Sequence, residues 1–227
     1  TSLQLYFEQE DFICCVFEHG GKGDLLGMLK QNGAINLRLS QKYFSQIAQG
    51  VKCFHKLRIA HRHLSLENVL LQDNDVCQVM DFGLAMVRVY GMTNEGDLMK
   101  SPEEIANQSY DPIAADIWAL GLMLYSMLTG FNLLERATEE DERFKTLMTL
   151  GSVEPLSRAD NATLPSLVID LLDGMLQIDP TKRWTIQQVT EHRFLSVGRG
   201  RVGRRLSVEA GAPVPPSTSR PMGARTS

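Results

Sequence analysis

From Ile117 to Leu134 the chain runs eighteen residues without a charge, and this stretch most restricts what the rest can fold into. Eighteen apolar-rich residues reach the lower limit for a helix that crosses a bilayer. Thr129, Gly130 and Asn132 punctuate its end, leaving about a dozen helical residues before the break. That length suits a helix that is apolar on every side because a large domain surrounds it. A buried helix is therefore expected, not a membrane span. With 227 residues, 43% of them hydrophobic, the chain has enough apolar surface to enclose it in one large domain or two small ones.

The flanking sequence indicates what does the enclosing. Leu3–Phe7 and Phe12–Phe17 are β-rich apolar runs around a polar turn at 8–11, which predicts a hairpin. The Gly-rich E-H-G-G-K-G-D-L that follows is a connector, and a short helix begins at Leu25. Ser40 is expected to cap a longer helix, in which Tyr43, Phe44, Ile47, Val51 and Phe54 recur on one face. Val69–Leu71 and Val76–Met80 read as short strands separated by the turn-forming Q-D-N-D. From about 113 the pattern is helical, with apolar faces in 117–128 and 165–176, and a last helix opened by Thr185 runs to about 195.

Composition excludes several function classes. A formal net charge of −4 gives no support for a nucleic-acid or membrane surface. Cys14, Cys15, Cys53 and Cys77 form no C-x-x-C and have no histidine at zinc spacing, so buried thiols in a reducing compartment are expected. No basic-plus-apolar signal segment opens the sequence, which points to the cell interior. The glycosylation sequons at Asn107 and Asn161 are then chance matches.

The chemistry is concentrated in H-R-H-L-S-L-E-N at 61–68 and in D-F-G at 81–83. Three further motifs follow in order: S-P-E at 101–103, D-I-W-A-L-G at 116–121 and I-D-P-T-K-R-W-T at 178–185. Together they resemble the eukaryotic protein kinase family, whose loop reads H-R-D-L-K-x-x-N and whose activation segment closes on A-P-E. The resemblance implies an α+β protein-kinase-like fold: a mainly helical C-lobe with a remnant of the N-lobe sheet. Residues 1–18 would be the last two N-lobe strands, 19–24 the hinge and 25–195 the C-lobe, followed by a disordered tail at 196–227. Glu67, four residues after His63, leans toward the Ser/Thr branch.

By the same resemblance Asp81 would hold magnesium and Asn68 would supply a second oxygen ligand. Phe17 would be the gatekeeper, Glu18 and Gly20 would pair with adenine through their backbones, and Asp24 would lie near the ribose. Leu70 completes the implied nucleotide contacts. Asp116 would support the loop backbone, Arg183 would pair with Glu103, and His61 and Arg62 would be structural supports. Arg62 would also be able to meet an activation-segment phosphate.

The departures from the family pattern carry as much weight as the matches. His63 stands where the family has its catalytic Asp, whose proton-accepting role contributes about 10²–10⁴-fold. A neutral imidazole accepts a proton but lacks the anchoring negative charge. Ser65 replaces a Lys that would touch the transferring phosphate. Met99 and Lys100 stand where a Tyr usually precedes the A-P-E motif, which argues against ordinary peptide docking. Tyr90 and Thr93 in the short 84–100 segment read as solvated loop hydroxyls. The 227 residues hold no G-x-G-x-x-G loop and no V-A-I-K lysine.

Two functions remain open at this point. One is a pseudokinase or partial kinase that binds protein partners. The other is an ATP- and Mg²⁺-dependent Ser/Thr kinase that acts on protein hydroxyls despite His63 and Ser65. A truncated product with no stable fold is a third outcome. In the tail, six arginines face one glutamate, a composition that cannot offset its ordering entropy. There Arg204-Arg205-Leu206-Ser207 matches a basophilic-kinase acceptor pattern, making Ser207 a modification candidate.

Overall fold

Residues 3–9, 12–17, 21–87, 99–106 and 109–196 are described by a computed structural model. Strands β1 (Leu3–Gln9) and β2 (Phe12–Phe17) open the chain. Helices α1 (Leu25–Asn32) and α2 (Leu37–Lys56) follow, then the short strands β3 (Ile59–Ala60), β4 (Val69–Leu71), β5 (Cys77–Val79) and β6 (Met86–Val87). The remainder is helical: α3 (Pro102–Ile105), α4 (Pro112–Thr129), α5 (Glu142–Leu150), α6 (Glu154–Ala159), α7 (Ser166–Met175), α8 (Ile186–Glu191) and α9 (Arg193–Ser196). This is the α+β architecture expected, with helices dominant and the sheets small.

Helix α4 is the structural axis. Asp111 accepts from the Ile113 N–H at its start and Pro112 occupies the first turn, where a missing N–H costs nothing. Gly130 ends it at φ 81°, and the Gly130 N–H bonds the Ser126 carbonyl. It is the one described helix long and apolar enough to cross a membrane, yet 89% of that stretch is buried inside the protein. Trp118, Leu120, Met123, Leu124 and Tyr125 have no exposure at all.

Against α4 pack Phe44, Ile47 and Val51 of α2 and Val168, Leu171 and Met175 of α7, all 0–1% exposed. Each such side chain contributes roughly 1.5–3 kcal/mol of apolar burial. The run that resembles a membrane segment is therefore the centre of the protein's own core.

The described residues form three two-stranded antiparallel sheets. In β1–β2, Tyr6 faces Cys15, and Leu5, Tyr6, Phe7, Val16 and Phe17 are 44–64% exposed. The β4–β5 hairpin pairs Leu70 with Gln78 across the expected turn, in which Asp75 takes φ 59°. Strand β6 pairs with β3, a contact two residues long that no sequence period signals.

Two boundaries differ from expectation. Asn36, not Ser40, caps α2 by accepting from the Leu39 N–H, while buried Ser40 donates its hydroxyl to the Ile35 carbonyl. The last helix is two helices, because His192 leaves helical geometry at ψ 141°. Its ring lies 2.9 Å from Asp170 of α7 and accepts from the Phe194 N–H, so a contact to α7 wins over helix continuation. The tail with Ser207, the Tyr90–Thr93 region and Asn107 lie outside the described residues.

Candidate functional site: the 61–68 loop and Asp81

The loop between β3 and β4 is fixed from beneath by one buried carboxylate. Asp116, 2% exposed in the first turns of α4, accepts the Arg62 N–H on Oδ1 and the His61 N–H on Oδ2, each at 2.8 Å. Its Oδ2 also lies 2.8 Å from Nε2 of buried His55 on α2. A charge in such a place is tolerable only when fully hydrogen-bonded, which this one is. Arg62 takes the left-handed conformation at φ 65°, and the two amides that hold this turn are the ones bound to Asp116. The expected support role of Asp116 corresponds to these contacts. His55, its third partner, was missed because it looks like an ordinary residue at a helix end.

His61 is fully buried beneath His63 and Asp81, with its ring tilted against Phe82 and Phe54 at centroid distances of 4.7 and 5.9 Å. Burial holds its imidazole below the usual histidine range, while the Asp116 charge acts in the opposite direction. Nε2 lies 2.9 Å from the Met80 carbonyl, which ties the loop to the D-F-G turn. Asp81 itself has φ 63° and accepts the Gly83 N–H on Oδ1. It caps a 3-10 turn at 82–84.

On the open side, His63 reaches Asp81: Nδ1 to Oδ2 is 3.1 Å, with the two side chains 42% and 40% exposed. Asn68, 6% exposed, donates Nδ2–H to the His63 carbonyl at 2.8 Å. That leaves the amide oxygen of Asn68 as an available ligand. The structure thus brings Asp81, His63 and Asn68 together. Asp81 and Asn68 supply the hard oxygen donors that magnesium prefers, so these residues fit the ion the family pattern implies. His63 adds a nitrogen to that set.

Ser65 makes no contact of this kind. It is 8% exposed, and its Oγ is buried without a hydrogen-bond partner. A cavity of about 390 Å³ lies there, bounded by α1, α4, the loop and the segment before α3. Leu29, Leu64, Met99 and Ala119 give it apolar walls, with Lys100 also in the lining. Beside it Glu103 forms a two-pronged ion pair with buried Arg183, at 2.6 and 3.0 Å, and the guanidinium stacks over Trp118. At the start of α3 the Ser101 N–H and hydroxyl both donate to Glu104 Oε2, at 2.9 and 2.8 Å. Burial pushes the Glu104 carboxyl up, against the hydrogen bonds from Ser101.

The nucleotide-side candidates are only partly described. Glu18 and Gly20 lie outside the described residues. Phe17 ends β2 and is 54% exposed. Asp24 accepts the Gly27 N–H at 2.7 Å as the cap of α1, and its backbone bridges to Leu70. The connector is held there by Lys22 N–H to Leu71 O and Leu71 N–H to Gly23 O, at 2.9 and 2.8 Å. Asp24 and Leu70 therefore adjoin.

An Asp-anchored H-R-x loop, a D-F-G turn stacked on its histidine and a buried Arg–Glu pair behind them define a protein-kinase-type scaffold. Residues 1–195 match the protein kinase domain family. The chain belongs to that family. It is 31% identical over 205 residues to the serine/threonine-protein kinase PKH1 of Saccharomyces cerevisiae, covering 83% of this chain and 26% of that protein. It is 29% identical over 210 residues to the NUAK family SNF1-like kinase 1 of Mus musculus, covering 87% of this chain and 29% of the relative. The chain thus spans between a quarter and a third of the length of these relatives.

Proposed function

We propose that this protein kinase domain, of the Ser/Thr type, is catalytically impaired and serves as a binding or regulatory module inside the cell. The single observation that carries the reading is the His63–Asp81 contact. In the family pattern the residue at the His63 position is a carboxylate that orients the hydroxyl to be phosphorylated. Here an imidazole occupies the place and is turned onto Asp81 at 3.1 Å. It brings no negative charge to the incoming hydroxyl, and it engages the carboxylate that would face the metal.

Ser65 supports the same conclusion. Where a Lys would supply positive charge to the transferring phosphate, a short, buried, uncharged hydroxyl stands instead, lining the same cavity as His63. If nucleotide is bound, Asp81 and Asn68 would hold magnesium, and Asp24, Leu70, Phe17 and the Glu18–Gly20 backbone would receive the nucleoside. The metal's contribution would be to neutralise phosphate charge. Protein partners are the expected ligands of the helical face.

A second reading, slow ATP-dependent transfer to protein hydroxyls, is favoured by the firm Asp116 anchoring and the intact Asp81–Asn68 pair. Labelled γ-phosphate transfer to a generic basic protein separates the two, with Asp81→Ala as the blank. The impaired reading expects wild-type incorporation equal to the blank. Incorporation above it makes the protein a working kinase that tolerates His63.

A further inference from the structure

The nitrogen placed at Asp81 has a consequence for metal choice. The 3.1 Å between His63 Nδ1 and Asp81 Oδ2 is the separation of two adjacent ligands on an octahedral ion. Two donors at right angles, each about 2.1–2.2 Å from a metal, stand about 3.0–3.1 Å apart. Both side chains are solvent-accessible, 42% and 40%, so an ion can reach the pair. The carbonyl of His63 is pinned by Asn68 Nδ2, which keeps the imidazole's own backbone and the Asn68 amide in one unit. Asp81 is likewise pre-set, with Oδ1 held by the Gly83 N–H and Oδ2 left to face the ring.

We infer that His63 is a metal ligand, and that it converts the Asp81 position from a magnesium site to one that prefers a nitrogen-tolerant first-row divalent cation. Magnesium is hard, selects oxygen and sheds water reluctantly. Imidazole nitrogen suits the later first-row ions such as cobalt, nickel and zinc. The ion takes the place of the proton at Nδ1, and the neutral ring that ligates it carries its one proton on Nε2. Among the described residues no three His, Cys, Asp or Glu side chains converge, so the two side chains are a partial ligand set that water completes. This rests on the reading that Asp81 faces a divalent cation, not on whether phosphate is transferred.

The test reads binding alone, with no nucleotide and no protein substrate. Cobalt(II) is titrated into the full chain and followed by its visible absorption, and magnesium is then added as competitor. The wild type, His63→Asp, His63→Ala and Asp81→Ala are compared, each first shown to melt cooperatively. Removing a hydrogen-bond partner of a metal ligand costs about 10–100-fold in affinity, and removing the ligand itself costs at least as much. The expected result is a cobalt affinity about tenfold or more weaker in His63→Ala and in Asp81→Ala. The cobalt-over-magnesium preference should collapse in His63→Asp, whose donors are all oxygen.

Equal cobalt binding in the wild type and Asp81→Ala places the ion elsewhere and overturns the inference. Tighter metal binding in His63→Ala also overturns it, because it makes His63 a hydrogen-bond donor that shields Asp81. If the wild type transfers phosphate while His63→Ala loses cobalt, the impaired-kinase reading falls and the metal assignment stands.

Discussion

The two sides of the 61–68 loop are built on opposite principles. Beneath it, Asp116 is 2% exposed and gathers two backbone N–H groups and the His55 ring. Above it, Asp81 and His63 are about two-fifths exposed and share one contact with each other. Position is therefore decided by buried charge, where a change leaves stranded donors. The proposed chemistry rests with exposed groups, where a change costs the fold little. In the proposed reading, a kinase scaffold keeps its shape in this way while the exposed face at His63 is altered.

The largest effect should come from the buried side. Asp116→Ala strands the His61 and Arg62 amides and the His55 ring. It should lower unfolding free energy by about 3–5 kcal/mol in denaturant titration. Glu103→Ala leaves Arg183, whose side chain is wholly buried, without its carboxylate. About 3 kcal/mol should be lost, again by denaturant titration, although the guanidinium keeps the Gln177 and Ala114 carbonyls.

A partly exposed pair gives a smaller, pH-dependent effect. Arg143 grips Asp160 with two N–H donors at 2.8 and 2.7 Å and holds its carboxyl below the ordinary 3.8. The folded value lies below the unfolded one, so this stabilisation is present above about pH 4 and lost as pH falls through the folded value. Asp160→Asn should cost about 1–3 kcal/mol at pH 7 and flatten the acid limb of a melting-temperature profile. A profile unchanged in shape would remove this pair from the account.

The smallest effect is expected above the loop. His63→Asp should change stability by no more than about 0.5 kcal/mol. A loss as large as that of Asp116→Ala would erase the distinction between the two sides.

Much of the buried side was legible in the sequence. The uncharged 117–134 run announced a core helix, and the spacing of Tyr43, Phe44, Ile47, Val51 and Phe54 announced the face packed against it. The H-R-x loop and D-F-G were visible as motifs, and the Arg183–Glu103 pair was implied by the resemblance to the kinase family. His55 was invisible because its role depends on a carboxylate sixty-one residues away. The break at His192 was equally hidden, since it answers to Asp170 on another helix. Ser40 misled because a hydroxyl inside a first turn resembles a cap until Asn36 is seen to do that work. On the exposed side, the sequence showed which residues were exchanged but not that His63 turns onto Asp81. A side-chain direction set by one solvent-exposed contact leaves no periodic trace.

Amide hydrogen exchange across the loop tests the central claim most directly. The His61 and Arg62 amides, which donate to buried Asp116, should exchange only through global unfolding, with protection matching the whole-domain stability. The Gly83 amide, which donates to exposed Asp81 at 3.2 Å, should exchange through local opening and far faster. Equal protection at these three positions would contradict the account, because the reactive face would then be as firmly built as its foundation.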